Sequence, residues 1–475
     1  MQLTKTDFIH YLNCSKSLWL EKHKPEIYPY GEFSEFMKKL TEEGYEVEQY
    51  VRQLIDTFDD FTDYVFQRSF LSARGLFAKA DIIRSNEDGS VNLYEIKSST
   101  SVKSSGKHNQ IKDAAFQKIA AKEAGYNVRR VFIIHLNKDY VSDGIIDPEE
   151  LLVFADVTED VAEIEAETNY EIEQALELLN SAQIDETSCS CLYLTKGNHC
   201  DAFDYFNPNL PSPSIYNLPR ISRAKLTNFV LDSRFDLDEI DESEVTEKQA
   251  LVLKSAHAKT SLIDVAAIAE FYDGLEYPLY FFDYETYSSA IPITSGSKPQ
   301  HPLPFQYSLH IKKGPDDTNL THVEYLSEEA KSPFQMIEHM ENHFGDRGHL
   351  VSWHAAFENT QNRNMAAQFH SKSDFLYGLI ERTVDLEDLF KEAYVDIAFQ
   401  GSTSIKKVLP VVVPELSYDG MKVANGTDAM ESWKRLIRMQ PSQEKAKLKA
   451  AMLDYCKLDT LAMVKIFDAV RKILN

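Results

Sequence analysis

The chain has 475 residues, 43% hydrophobic and 26% charged, a globular composition with apolar material for more than one core. A formal net charge of −25 excludes a basic, coat-like nucleic-acid binder, but not a nuclease, whose metal sites are built of carboxylates. No run of about 18 apolar residues reads as a membrane span, and the start, MQLTKTDFIHYLNC, lacks a signal peptide's apolar region, so a cytoplasmic protein off the membrane is expected.

In chain order, the pattern predicts helix to about Ile55, then strands LFAKADIIRS and VNLYEIKSS separated by NEDG, a turn signal at Asp88-Gly89. A helix follows over Asp113–Ala124, ended by Gly125, and then the strand VRRVFIIHL, giving an αββαβ module. Residues 201–215 read as an irregular connection and 216–272 as helical with polar breaks. A new start near residue 275 leads into LYFFDYETY, a buried-strand pattern. This divides the chain into 1–205 and 275–475, both of the α/β class, joined by a helical connecting region at 206–274.

On a strand, Asp283 and Glu285 project from one face. On the last helix, Tyr455 and Asp459 lie one turn apart and share a face. Taken singly these are a polar strand end and a packed tyrosine beside a solvated aspartate. Between them lies VSWHAAFENTQN, with His354, Phe357 and Glu358. The ordered set resembles the DEDD exonuclease superfamily in its tyrosine-containing subclass. That resemblance implies a ribonuclease H-like fold and removal of nucleotides from 3′ ends of DNA or RNA. It further implies two Mg²⁺ or Mn²⁺ ions, about 3.5–4 Å apart, on Asp283, Glu285, Glu358 and Asp459, with Tyr455 positioning water. Glu358 stands where the family carries Asp, and Asp385 is the alternative third acid.

In the N-terminal module, Glu95 and Lys97 share a strand face, and a hairpin turning at Asp88-Gly89 brings Asp81 alongside Glu95. With Gly44 and Glu48 upstream and Gln117 downstream, this resembles the RecB-type branch of the PD-(D/E)xK nucleases. The resemblance implies a restriction-endonuclease-like fold and one or two Mg²⁺ or Mn²⁺ ions on Asp81, Glu95 and Glu48. Lys97 would act in catalysis and Gln117 in substrate contact. Glu48 replaces the branch's His, and Ala121 its Tyr.

Five cysteines are present, and one early and three late ones, Cys14, Cys189, Cys191 and Cys200, make four thiolates, enough for a [4Fe–4S] cluster or a zinc ion. The split arrangement is similar to the RecB-type nucleases with iron–sulfur clusters, including the CRISPR-associated exonuclease, and implies a [4Fe–4S] cluster. Zinc is the second reading and free thiols the third, and the tight Cys189-x-Cys191 pair departs from the family spacing. Cys456 reads as a buried core thiol.

End to end, LTKTDFIHYLNCSKSLWL, LYEIKSST, CSCLYLTKGNHCDAFDYFNP, LYFFDYET, PLPFQYSLH and YCKLDT resemble a bacterial family of unknown function. That family fuses a RecB-type, cysteine-bearing nuclease half to a DEDD exonuclease-like half. In it Gln306 and His310 are candidate substrate contacts, with a satisfied interior role equally open. The resemblance implies a metal-dependent nuclease acting on single-stranded 3′ ends, in a setting such as DNA repair or phage defence. The alternative is a nucleic-acid-binding subunit in which one or both sites have degenerated.

Overall fold

The computed structural model describes residues 1–30 and 35–474. They form two compact units, Met1–Asn209 with Ser289–His301, and Leu210–Ser288 with Pro302–Asn475. Both are α/β, each around a mixed sheet.

The first unit begins with β1 (Leu3–Thr4), α1 (Lys5–Asn13) and α2 (Ser15–His23). Thr4 and Asp7 close α1 with a reciprocal capping box, and Cys14, in extended conformation, breaks the chain between the two helices. Then come α3 (Glu35–Ile55), β2 (Tyr64–Leu71), β3 (Leu76–Ser85), β4 (Val91–Ile96), α4 (Gln110–Glu123), β5 (Val128–Leu136), α5 (Pro148–Leu151), β6 (Leu152–Asp156), α6 (Thr158–Asn180) and the short α7 (Phe203–Phe206). β3 pairs antiparallel with β2 and β4, β4 runs parallel to β5, and β6 closes the edge antiparallel to β5.

Alternation along β5 shows why this is a two-faced sheet. Val131 and Ile133 join the core under α1, α4 and α6, while Ile134 and Leu136 join Val47, Val51 and Ile55 of α3. Ala290 and Ile291, from the returning segment 289–301, fill that second core. The hairpin turn predicted at Asp88-Gly89 forms as a loop over residues 86–90, closed by the Asn86 N–H donating to Ser90 O at 2.8 Å, with Gly89 at φ +78°. β2 is absent from the sequence reading. Its middle, Gln67-Arg68-Ser69, interrupts the apolar alternation because much of the strand is exposed.

The second unit adds α8 (Arg223–Leu231), α9 (Glu247–Ala258), β7 (Leu262–Ile263), α10 (Val265–Asp273), β8 (Leu279–Tyr287), β9 (Leu303–Lys312), β10 (Thr321–Leu326), α11 (Phe334–Glu341), β11 (Leu350–Ser352), α12 (Ala356–Gln368), α13 (Ser373–Glu381), β12 (Thr383–Asp385), β13 (Tyr394–Val395), α14 (Ile405–Val412), α15 (Gly426–Arg438) and α16 (Gln443–Arg471). The main sheet runs β10-β9-β8-β11-β12, antiparallel on one side of β8 and parallel on the other. The stretch read as a connecting region does not stand apart from Leu210 onward. Ile268 of α10 is fully buried with Leu279, Phe281 and Phe467, and β7 pairs with β13.

Helix α16 is held on β9 by a row of polar residues at period two. Gln306 Nε2 donates to Met452 O at 3.0 Å, and Ser308 and His310 each meet the Thr460 hydroxyl at 2.8 Å. Lys312 reaches Asp468 at 3.2 Å. The odd-numbered residues Tyr307 and Leu309 face the apolar core on the other side. The row fixes where α16 lies across β8, and so where its acidic face points. Thr460→Val, which leaves the buried His310 ring nitrogen unpaired, should lower unfolding stability by about 1–3 kcal/mol, read as a lower urea midpoint with unchanged slope.

Candidate functional site

β8 directs Asp283 and Glu285 to the face that carries Ser308, Asp283's cross-strand partner, and so toward α16. A register shift between Glu285 and Thr286 bends the strand just past the acids. Glu358 stands in the first turn of α12, reached from β11 through His354, which takes φ +63°. Tyr455 and Asp459 come from one face of α16. All five line one cleft of about 380 Å³, together with Trp353, His354, Phe357 and Lys406.

The electrostatics are those of crowded acids. Burial, with Asp459, Glu358 and Glu285 adding repulsion, raises Asp283 well above the carboxylate range. Burial and Asp459 do the same to Glu285, against the opposing charge of Lys406. Burial pushes Glu358 up to about 8 and Asp459 up to about 6. Asp459 is restrained by the Tyr418 hydroxyl, which donates to its Oδ1 at 2.7 Å. Burial, reinforced by Asp459, keeps the Tyr455 hydroxyl protonated far above its ordinary range. No donor among the described residues reaches the buried Glu358 Oε2. Four mutually repelling oxygen donors, one of them orphaned, are a donor set suited to hard divalent cations. The Cys456 sulfur lies within 4.8 Å of the Asp283 and Glu285 oxygens; its thiol is buried and pushed up by burial and by the acids.

Asp385, the alternative third acid, lies off this cleft. It accepts the backbone N–H groups of His354 and Glu387, both at 3.0 Å, and so holds the turn that presents Glu358. Gln306 and His310 are both buried and spent on α16, as described above. Lys406 and Tyr418 were not singled out from the sequence. Each stands in a loop or helix start with no periodic partner, and only the folded chain brings the Lys406 ammonium over the Tyr418 and Tyr455 rings, at 5.3 and 5.5 Å.

In the first unit the hairpin register sets Asp81 opposite Glu95, since Ile82 pairs with Tyr94. Glu95 is buried and held by Lys5 at 2.5 Å, Lys97 at 2.8 Å and Gln117 at 2.5 Å. Lys97 also reaches Asp113 at 2.7 Å. Burial alone would raise Glu95, but the ammoniums of Lys5 and Lys97 outweigh it and hold the carboxyl below its usual range. Asp81 goes the other way. Burial and then Glu95 push it up to about 7, although it accepts the Ile96 N–H at 2.8 Å. Lys5 and Asp113 are additions to the sequence reading; nothing in their local pattern marks them. Glu48 is engaged by Arg52 at 2.5 Å and Gln67 at 3.1 Å. Ala121 is fully buried in the core.

The sulfurs of Cys14, Cys189, Cys191 and Cys200 all lie within 4.8 Å of one another, so these four could hold a metal ion. Asn207 Nδ2 donates to the Cys189 sulfur at 3.6 Å. No helix among the described residues is long and apolar enough to cross a membrane.

The family model described as "Domain of unknown function (DUF2779)" matches residues 280–404, the stretch that carries Asp283, Glu285 and Glu358. The chain is also similar to "Uncharacterized protein MG366 homolog" of Mycoplasma pneumoniae, 26% identical over 206 residues, or 39% of this chain and 31% of that protein. To "Uncharacterized protein MG366" of Mycoplasma genitalium it is 25% identical over 215 residues, 41% of this chain and 32% of that protein. The chain thus spans about a third of the length of these curated relatives.

Because Glu95 is held below its unfolded value of about 4.3, its stabilising contribution is complete above that pH and is lost as pH falls through the folded value. Lys5→Met removes one restraining ammonium and brings the two values together. Urea unfolding in chelator should then show lower stability at pH 7 and a shallower loss between pH 5 and pH 3 than the parent chain.

Proposed function

We propose that this chain is a metal-dependent nuclease whose second unit is a 3′→5′ exonuclease of ribonuclease H-like fold. The single observation that carries the reading is the convergence of Asp283, Glu285, Glu358, Asp459 and Tyr455, from β8, α12 and α16, on one cleft. The order of the sheet around β8 supports it. Asp283, Glu285, Glu358 and Asp459 would hold two Mg²⁺ or Mn²⁺ ions, which when bound supply an acidified water and stabilise the leaving oxygen. Tyr455, kept protonated, orients that water and does not take its proton. Tyr418 fixes the rotation of the Asp459 carboxylate. Lys406 brings a positive charge to the cleft wall, where a phosphodiester oxygen would rest. The exposed His354 and Phe357 rings give the rim flat surfaces on which unpaired bases would stack. A single-stranded 3′ end is therefore the substrate class.

In the same proposal the first unit is a PD-(D/E)xK-type module, with Asp81 and Glu95 as metal ligands and Lys97 beside them. One observation favours a second reading for that unit, a nucleic-acid-binding module that has lost cutting. Its acid Glu95 is already matched by Lys5, Lys97 and Gln117, and Glu48 is tied to Arg52 and Gln67.

The test is degradation of 3′-labelled single-stranded DNA and RNA with Mn²⁺. Asp283→Asn should reduce cutting by at least about a hundredfold, and retention of parental activity by this variant sinks the assignment of the cleft. Asp81→Asn decides between the two readings of the first unit: loss of an endonucleolytic or 5′-directed product supports a working site there. Tyr455→Phe should lower kcat by roughly 10–100-fold with little change in the Mn²⁺ concentration that gives half-maximal rate; a change confined to metal dependence contradicts its water-orienting role.

A further inference from the structure

The resemblance of the first unit implies a [4Fe–4S] cluster on its four cysteines, and the sulfur geometry does not fit one. A tetrahedral ion with metal–sulfur bonds of about 2.3 Å sets its four sulfurs about 3.8 Å apart. A cubane places an iron behind each thiolate and spreads the sulfurs to roughly 6 Å. Here every sulfur lies within 4.8 Å of the other three.

The surrounding fold opposes the widening that a cubane needs. Cys14 sits at the α1–α2 junction, and α2 is tied to the segment before the late cysteines at several points. Trp19 Nε1 donates to Ser181 O at 2.8 Å, His23 Nε2 meets Leu179 O at 2.9 Å, and Lys24 pairs with Glu186 at 2.7 Å. Beyond α2, the Tyr28 hydroxyl donates to Asp201, next to Cys200, at 3.3 Å. Cys14, Cys189 and Cys191 are buried. Cys189, in extended conformation just before the single helical turn 190–193, and Cys191, within it, bring their sulfurs together. Asn207 meanwhile directs an N–H at the Cys189 sulfur, a bond that stabilises thiolate charge.

We infer that Cys14, Cys189, Cys191 and Cys200 form a closed, tetrahedral thiolate site for a single zinc ion, which staples the N-terminal helix pair to the end of the first unit. With four protein ligands it leaves no open position, so its role is structural. Binding displaces the thiol protons and couples metal to folding of the 1–23 and 189–207 segments.

The test is elemental analysis of the whole chain, purified without oxygen from cells supplied with both iron and zinc. About one zinc per chain is expected, with no acid-labile sulfide. Exchange of that zinc for Co²⁺ should give the intense red-region bands of a tetrahedral thiolate site. Iron with matching sulfide and a broad band near about 400 nm overturns the inference, as does protein that takes up neither zinc nor cobalt. Cys200→Ser alters the least buried of the four and should weaken Co²⁺ affinity at least about tenfold. If it fails to fold, Cys200→His, which keeps a fourth donor, should still bind one Co²⁺ with shifted bands. None of these readouts uses nuclease activity, so a negative result leaves the acidic cleft of the second unit untouched.

Discussion

Four carboxyl groups crowded into a water-poor cleft cannot all be charged together, and most of what surrounds them in the second unit bears on that constraint. Each of Asp283, Glu285, Glu358 and Asp459 is pushed toward its neutral form by burial, and at Asp283 and Glu285 the neighbouring acids add to it. The chain supplies only part of the missing positive charge. Lys406 lowers both Glu285 and Asp459, and Tyr418 gives one hydrogen bond to Asp459. What keeps the acids together is not attraction among them but the frame. The polar row on β9 locks α16 in place, and Asp385 locks the turn before α12. A frame that holds repelling groups at fixed separation stores its stabilisation elsewhere, and the cation proposed for the cleft would recover it.

The first unit solves the problem of buried acid differently. Glu95 is surrounded by donors, and only Asp81 is left raised. A site whose charges are already matched gains less from a cation, because an ion must first displace ammonium groups from the carboxylate. The two acid sets, similar in composition, are therefore expected to differ in metal affinity.

Where the placement of a side chain depends on local period, the sequence was legible. Two residues along β8 brought Asp283 and Glu285 to one face, and four along α16 aligned Tyr455 with Asp459. Counting outward from the 86–90 turn placed Asp81 against Glu95. Legibility ended where residues meet only through tertiary approach. Lys5 is 90 positions from Glu95, and Tyr418 is 41 from Asp459. Both stand in polar stretches, Thr4–Asp7 and Ser417–Asp419, whose pattern does not single them out. The role of Asp385 was open for the same reason. Whether an acid faces a cleft or caps a turn depends on the path of the chain between β11 and α12, which no spacing records. The packing of the connecting region was not legible because polar breaks between short helices look alike whether or not those helices bury a face, as α10 does through Ile268.

The segment 289–301 leaves one unit between neighbouring strands β8 and β9 and completes the core of the other with Ala290 and Ile291. Its Gln300 amide donates to Glu43 and to Ser98 O, one residue past Lys97. The chain therefore changes unit three times, not once. No single cut in the backbone yields two whole units: a fragment ending near residue 209 lacks part of its own interior, and the remainder carries a loop whose packing partners are gone. The interior of the first unit is thus complete only once the chain has been made as far as residue 301.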